Sequence, residues 1–160
     1  MLKKITCLLA LAWCLAAEVP SEDDRKVIAE EHTKIRENVE PTASNMLMMA
    51  YSMELEGLAD KWANKCTLEK PDAGKDVEYA NTSITTDFTE NKTYAEMIEK
   101  FGQQSYFYNY STNKCKVPCS SYIQAVWADS KEVGCATNKC PGILPSQKAD
   151  TLFICVYKPA

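Results

Sequence analysis

His32 is the only histidine in the chain, so general-base or nucleophile-activating chemistry has one ordinary imidazole to call on. It lies on the apolar stripe of a predicted helix, with Ile28, His32, Ile35 and Val39 spaced four, three and four apart. That position favours a packed, hydrogen-bonded core histidine over a catalytic base. Cysteines are the other chemically capable set. Cys7 and Cys14 fall in the N-terminal leader, while Cys66, Cys115, Cys119, Cys135, Cys140 and Cys155 follow it. The even number, the oxidising compartment that the leader implies, and the lack of any Cys-x-x-Cys or His-x-x-x-His spacing favour disulfides over a zinc site. Asn81, Asn91 and Asn109 each open an Asn-x-Ser/Thr triplet in a polar segment and are candidate glycan acceptors. Asn91 and Asn109 are the better candidates, because Asn81 lies in or beside a predicted strand.

The leader explains the compartment. Lys3-Lys4, an apolar run from Ile5 to Ala17 and the small residues at Ala16-Ala17 have the layout of a secretory signal peptide. Cleavage near Ala17 leaves one domain, residues 18–160, in an extracellular setting. No later stretch approaches the ~20 apolar residues that a membrane-spanning helix needs. The cleaved chain carries 16 basic against 22 acidic residues with no Lys/Arg cluster, which argues against nucleic acid as a partner.

The elements that must position these residues follow from periodicity and caps. Ser21 with Asp24, and Thr93 with Glu96, read as capping boxes that start the first and third helices. Pro41 ends the first helix. A second helix is predicted from the stripe Leu55, Leu58, Ala59, Trp62, Ala63 and Cys66, and a third from Tyr94, Met97, Ile98 and Phe101. Methionines 46, 48, 49 and 53 read as irregular core filler. Residues 67–92 read as polar and turn-rich with one short strand near Val77–Ala80, and 105–121 as a tyrosine-rich loop. Strands are predicted over Tyr122–Trp127, from Val133, and over Thr151–Tyr157. Helices early and strands late, with few βαβ units, point to a three-layer α+β domain.

The stretch Ser120-Ser121-Tyr122-Ile123-Gln124-Ala125-Val126-Trp127, followed by Gly134-Cys135, resembles the G-H-Y-T-Q-x-V-W…GC signature of the CAP superfamily (cysteine-rich secretory proteins, antigen 5 and plant pathogenesis-related class 1 proteins). His32-Thr33-Lys34-Ile35-Arg36 is similar to that family's H-N-x-x-R, and Phe153-Ile154-Cys155-Val156-Tyr157 resembles its closing strand. The resemblance spans about residues 24–159. It implies an α-β-α sandwich stapled by Cys66–Cys140, Cys135–Cys155 and Cys115–Cys119. In many members two histidines and two glutamates line a cavity and hold a divalent metal. Carried over position by position, that set reads Lys70, Glu78, Gln104 and Ser121, so no metal or other cofactor is expected. A Lys70–Ser121 dyad would be the remaining route to hydrolysis; a Lys70–Glu78 ion pair is the plainer expectation.

Among relatives, the chain most resembles the venom allergen-like proteins released by parasitic worms. The resemblance implies a secreted, non-enzymatic binding protein. Its candidate ligands are a sterol held by the loop at about 72–90 through Tyr79 and Phe88, a fatty acid held between helices, or a host or cell-surface protein. A secreted hydrolase and a purely protein-binding effector or allergen are the alternatives.

Overall fold

The computed structural model describes residues 18–72, 74–144 and 150–160. The predicted leader, residues 1–17, lies outside them, as do 145–149 of the Pro/Gly loop. Among the described residues there are four α-helices: α1 (Glu22–Glu37), α2 (Met53–Ala63), α3 (Tyr94–Gln103) and α4 (Ser120–Ala125). A four-stranded sheet has the order β1 (Ala50–Tyr51), β5 (Glu132–Lys139), β6 (Thr151–Lys158), β2 (Ser83–Thr89). β1 runs parallel to β5; the other pairings are antiparallel. A small hairpin pairs β3 (Tyr108–Asn109) with β4 (Lys114–Cys115).

β6 shows why three layers form. Its residues 152–157 are all buried, because the strand is covered on both faces. Leu152, Ile154 and Val156 pack toward Leu55, Ala59 and Trp62 of α2. Phe153, Cys155 and Tyr157 pack toward Ile28 of α1 and Met97, Ile98 and Phe101 of α3. Period-two alternation thus divides one strand between two cores. Both predicted capping boxes form, Ser21 with Asp24 and Thr93 with Glu96. The three disulfides join Cys66 to Cys140, Cys115 to Cys119 and Cys135 to Cys155, and Cys135 lies directly opposite Cys155 across the β5–β6 ladder.

Gly134 sets how closely α2 can approach the sheet. A Cβ there would lie 2.1 Å from the Glu56 backbone nitrogen and 2.6 Å from the Ser52 carbonyl oxygen. Only a residue without a side chain lets the first turn of α2 rest on β5.

Four sequence expectations are corrected. Tyr122–Trp127 is not a strand: Ser120–Ala125 is a helix, with Tyr122 and Ala125 buried at helical spacing and Ile123 half-buried. Its β-branched and aromatic residues are overridden by packing against α3 and by ties at both ends, which are described below. Val77–Tyr79 is a 3₁₀ turn, and the strand is β2, inside the segment read as turn-rich. β2 has a weak strand pattern in the sequence because one face presents Thr85, Asp87 and Thr89, so that only Ile84 and Phe88 look apolar. The methionines also divide: Met49 is buried, whereas Met48 and Met53 are exposed rather than core filler. Finally, α2 ends at Ala63, short of Cys66, which adopts φ 45° on its way to Cys140.

Candidate functional site: an aromatic cleft beside a degenerate cavity

The four positions carried over from the family's cavity do not assemble into one donor set. Lys70 is exposed and lines a small cleft of about 180 Å³ with Pro71, Tyr79 and Thr82–Ile84; neither Gln104 nor Ser121 lines it. Glu78 pairs with Lys61 of α2, not with Lys70 as expected, because the 3₁₀ turn sets it over that helix. The Lys61 hydrogen bond holds its carboxyl below the usual range. Gln104, at the C-cap of α3, accepts the Tyr122 N–H at 3.2 Å through Oε1, and Ser121 is buried on α4. An ammonium, an amide already used as an acceptor and a carboxylate committed to lysine do not fit a divalent cation. Among the described residues no three His, Cys, Asp or Glu side chains gather as a metal site, and no hydrogen bond joins Lys70 to Ser121.

Tyr79 and Phe88 are also placed differently from expectation. Tyr79 is buried, stacks edge-on against Trp62 at 5.2 Å and donates its hydroxyl to the Leu58 carbonyl at 2.8 Å. Phe88 sits in β2 opposite Leu152 and packs on the α2 core. The 72–90 segment therefore offers neither ring as an exposed loop aromatic. All three sequon asparagines are exposed. Asn81 and Asn91 have positive φ, and the Asn109 side chain accepts from the Thr112 N–H and hydroxyl, each at 3.0 Å.

His32 is fully buried. Its Nδ1 is 2.8 Å from the Ile28 carbonyl oxygen and its Nε2 is 3.0 Å from the Tyr157 hydroxyl. A carbonyl only accepts, so Nδ1 carries the proton and Nε2 accepts from Tyr157. Burial drives the imidazole pKa down to about 4 and outweighs the Ile28 hydrogen bond that opposes it. Among the described residues both ring nitrogens are taken up by Ile28 and Tyr157, neither by a serine or cysteine, so the ring serves as a structural bridge between α1 and β6.

One turn further along α1, Arg36 does work the sequence reading missed. Its guanidinium is buried without a carboxylate and donates to four backbone carbonyls: Leu47 at 2.8 Å, Ala125 at 2.9 Å, Trp127 at 2.8 Å and Ala128 at 3.2 Å. Three of these lie at or just beyond the C-terminal end of α4, where helix carbonyls lack intrahelical partners and carry partial negative charge. Burial lowers its pKa. The signal in the sequence is the run His32-Thr33-Lys34-Ile35-Arg36, which sets Arg36 about one helical turn after His32. At the other end, the Cys115–Cys119 disulfide ties α4's N-cap to β4. Helix α4 is therefore clamped at both ends.

That clamping builds a cleft. Residues 39–46 after α1, the β3–β4 hairpin and α4 enclose about 320 Å³ lined by Tyr108, Tyr110, Tyr122 and Trp127, with Met46, Ile123 and Val126 as aliphatic wall. The Tyr108 and Tyr122 rings lie 5.7 Å apart, and the Tyr108 hydroxyl donates to Asn113 at 3.0 Å. Tyr110 is 63% and Trp127 47% exposed, so both rings remain open to a ligand. Among the described residues Glu40 is the only charged one lining the cleft. The tyrosine-rich loop was visible in the sequence; its meeting with residues 39–46 was not.

Fold, disulfides and this cleft define a cysteine-stapled α-β-α module. Residues 29–157 match the profile of the cysteine-rich secretory protein family (CAP), and the chain belongs to that family. It is 32% identical to human GLIPR1-like protein 1 over 171 residues, covering 98% of this chain and 70% of that one. It is 28% identical to venom allergen 5 of Polistes dominula, covering 88% and 69%. The chain spans 70%, 63% and 55% of the lengths of the first three curated relatives it matches. Among solved structures, Schistosoma mansoni venom allergen-like protein 4 superposes with a TM-score of 0.67 at 24% identity, covering 88% of this chain and 90% of that one. Hookworm platelet inhibitor superposes with a TM-score of 0.63 at 22% identity, covering 93% and 76%. These two share the fold. Among the described residues no helix is long and apolar enough to cross a membrane.

Proposed function

We propose that this is a secreted CAP-domain protein that acts by binding rather than by catalysis, and that an apolar or amphiphilic small molecule occupies the aromatic cleft. The supporting observation is the cleft itself: about 320 Å³, mostly aromatic and aliphatic, held by a helix fixed at both ends. That volume lies at the lower end of the range for small-molecule pockets. The degenerate cavity supports the non-enzymatic reading, because the lone imidazole is committed to Ile28 and Tyr157 and Lys70 makes no hydrogen bond to Ser121. The lining suits an acyl chain, whereas the 72–90 segment offers a sterol little, since Tyr79 and Phe88 are packed into the core.

A second reading, docking of a host or cell-surface protein, is favoured by Leu47, Met48 and Met53, which are 48%, 78% and 59% exposed. The test is a calorimetric titration of palmitate and cholesterol, and of lysophosphatidylcholine, into the oxidised protein and into a Trp127→Ala variant. Saturable palmitate binding that weakens in the variant supports the cleft. If neither lipid binds at micromolar protein, and lysophosphatidylcholine binds no better, the small-molecule reading fails and the protein-docking reading takes its place.

A further inference from the structure

Four aromatic residues, Tyr108, Tyr110, Tyr122 and Trp127, line one cleft with, among the described residues, a single carboxylate, Glu40, and no lysine, arginine or histidine. Aromatic faces are the negative regions of their ring quadrupoles and attract cations, most strongly quaternary and protonated amines that are weakly hydrated. A carboxylate at the same site adds attraction of the same sign. A fatty-acid carboxylate alone would leave Glu40 facing like charge.

The nearby cations do not oppose this assignment. Arg36 is committed to the backbone carbonyls of Leu47, Ala125, Trp127 and Ala128. Lys114 and Lys116 lie on the hairpin but not in the lining. The Trp127 backbone is fixed by the Arg36 bond to its carbonyl and by its own N–H to the Gln124 carbonyl at 3.2 Å. A backbone held this way leaves only the side-chain torsions to be ordered when a ligand stacks on the ring.

We infer that the cleft recognises an organic cation, a quaternary ammonium or protonated amine seated among these four aromatic residues beside Glu40. The inference rests on the small-molecule reading of the cleft and names the chemistry of the ligand's polar end. A free amine and the headgroup of a choline lipid share that chemistry.

The experiment titrates choline, its neutral isostere 3,3-dimethyl-1-butanol, lysophosphatidylcholine, lysophosphatidylglycerol and palmitate into the oxidised protein by calorimetry. It is repeated with Trp127→Ala and Glu40→Gln, both at the surface and each checked for native circular dichroism. The expected result is choline binding about tenfold or more tighter than the isostere, weakened by about tenfold in either variant. Choline binding without a preference between the two lysolipids identifies a free amine as the source. Binding of lysophosphatidylcholine well above lysophosphatidylglycerol identifies the lipid headgroup. Equal binding of choline and the isostere, or no binding of any cation, overturns the inference. Palmitate binding retained in that case leaves the small-molecule reading standing, and loss of every ligand overturns both.

Discussion

Acidification is expected to weaken this protein through one side chain. His32 is buried and neutral, with its Nε2 accepting from Tyr157 and its pKa held at about 4 by burial. In the unfolded chain an imidazole titrates near 6.5. Above pH 6.5 both states are neutral, and the full stability is present. As pH falls from 6.5 toward 4 the unfolded chain takes up a proton that the native state refuses. Stability then falls with a slope approaching about 1.4 kcal/mol per pH unit. From pH 7 to 4.5 the loss comes to about 2 kcal/mol, and to about 3 kcal/mol in total once the folded-state pKa is passed. Below that point both states are protonated and the group contributes nothing further. Asp76, Glu78, Glu96 and Asp150, whose carboxyls are held low by hydrogen bonds, contribute their own acid dependence mainly below about pH 4.5. The interval from 6.5 to 4.5 therefore reports the only histidine in the chain. The assay is urea unfolding at pH 7.0, 6.0, 5.0 and 4.5 for the native protein and His32→Gln, with the imidazole proton resonance followed by NMR. The variant should be less stable at pH 7 yet show a flatter pH dependence. An equal slope in the two proteins, or a native imidazole titrating near 6.5, would refute the reasoning.

Removing the Arg36 guanidinium leaves buried carbonyls without donors, so Arg36→Met should lose about 3–5 kcal/mol in urea unfolding. Protection of the α4 amides in hydrogen exchange should fall with it, since three of the four acceptors lie at or just past that helix's end. Gly134→Ala places a methyl 2.1 Å from the α2 backbone and should lower stability by about 4 kcal/mol or more, with little folded protein recovered on expression. Replacing Cys66 and Cys140 together by serine opens a crosslink between residues 74 apart, and chain-entropy accounting gives a loss of about 4–5 kcal/mol, measured as a shift in urea midpoint.

Much of the scaffold was legible because it rests on local signals. Ser21 and Thr93 name their own helix starts, the Leu55–Trp62 stripe names a buried face, and the residues 151–157 name a strand covered on both sides. What was not legible depends on partners distant in sequence. α4 is helical because Arg36, some 90 residues earlier, holds its end and Cys115 ties its start; nothing within Tyr122–Trp127 says so. β2 reads as loop because half of its side chains are threonine and aspartate, whose packing against the rest of the domain no local pattern records. The site divides in the same way. At the two positions carried over from the family's histidines the sequence has Lys70 and Ser121, and neither identity needs a structure to be read. The aromatic cleft exists only where residues 39–46 and the hairpin meet, and no motif joins them.

The central position of β6 has a consequence for biosynthesis. The strand that divides both cores follows every other described element in sequence, and it carries Cys155, the partner of Cys135. During vectorial synthesis the helices and their neighbouring strands emerge with no β6 to pack on, so neither core can close until the last strand has emerged. Throughout that interval Cys135 has no partner, since Cys155 lies on the strand still to come. The fold is thus completed by a single late event, and a ribosome that stalls before Thr151 releases a chain with two half-built interiors.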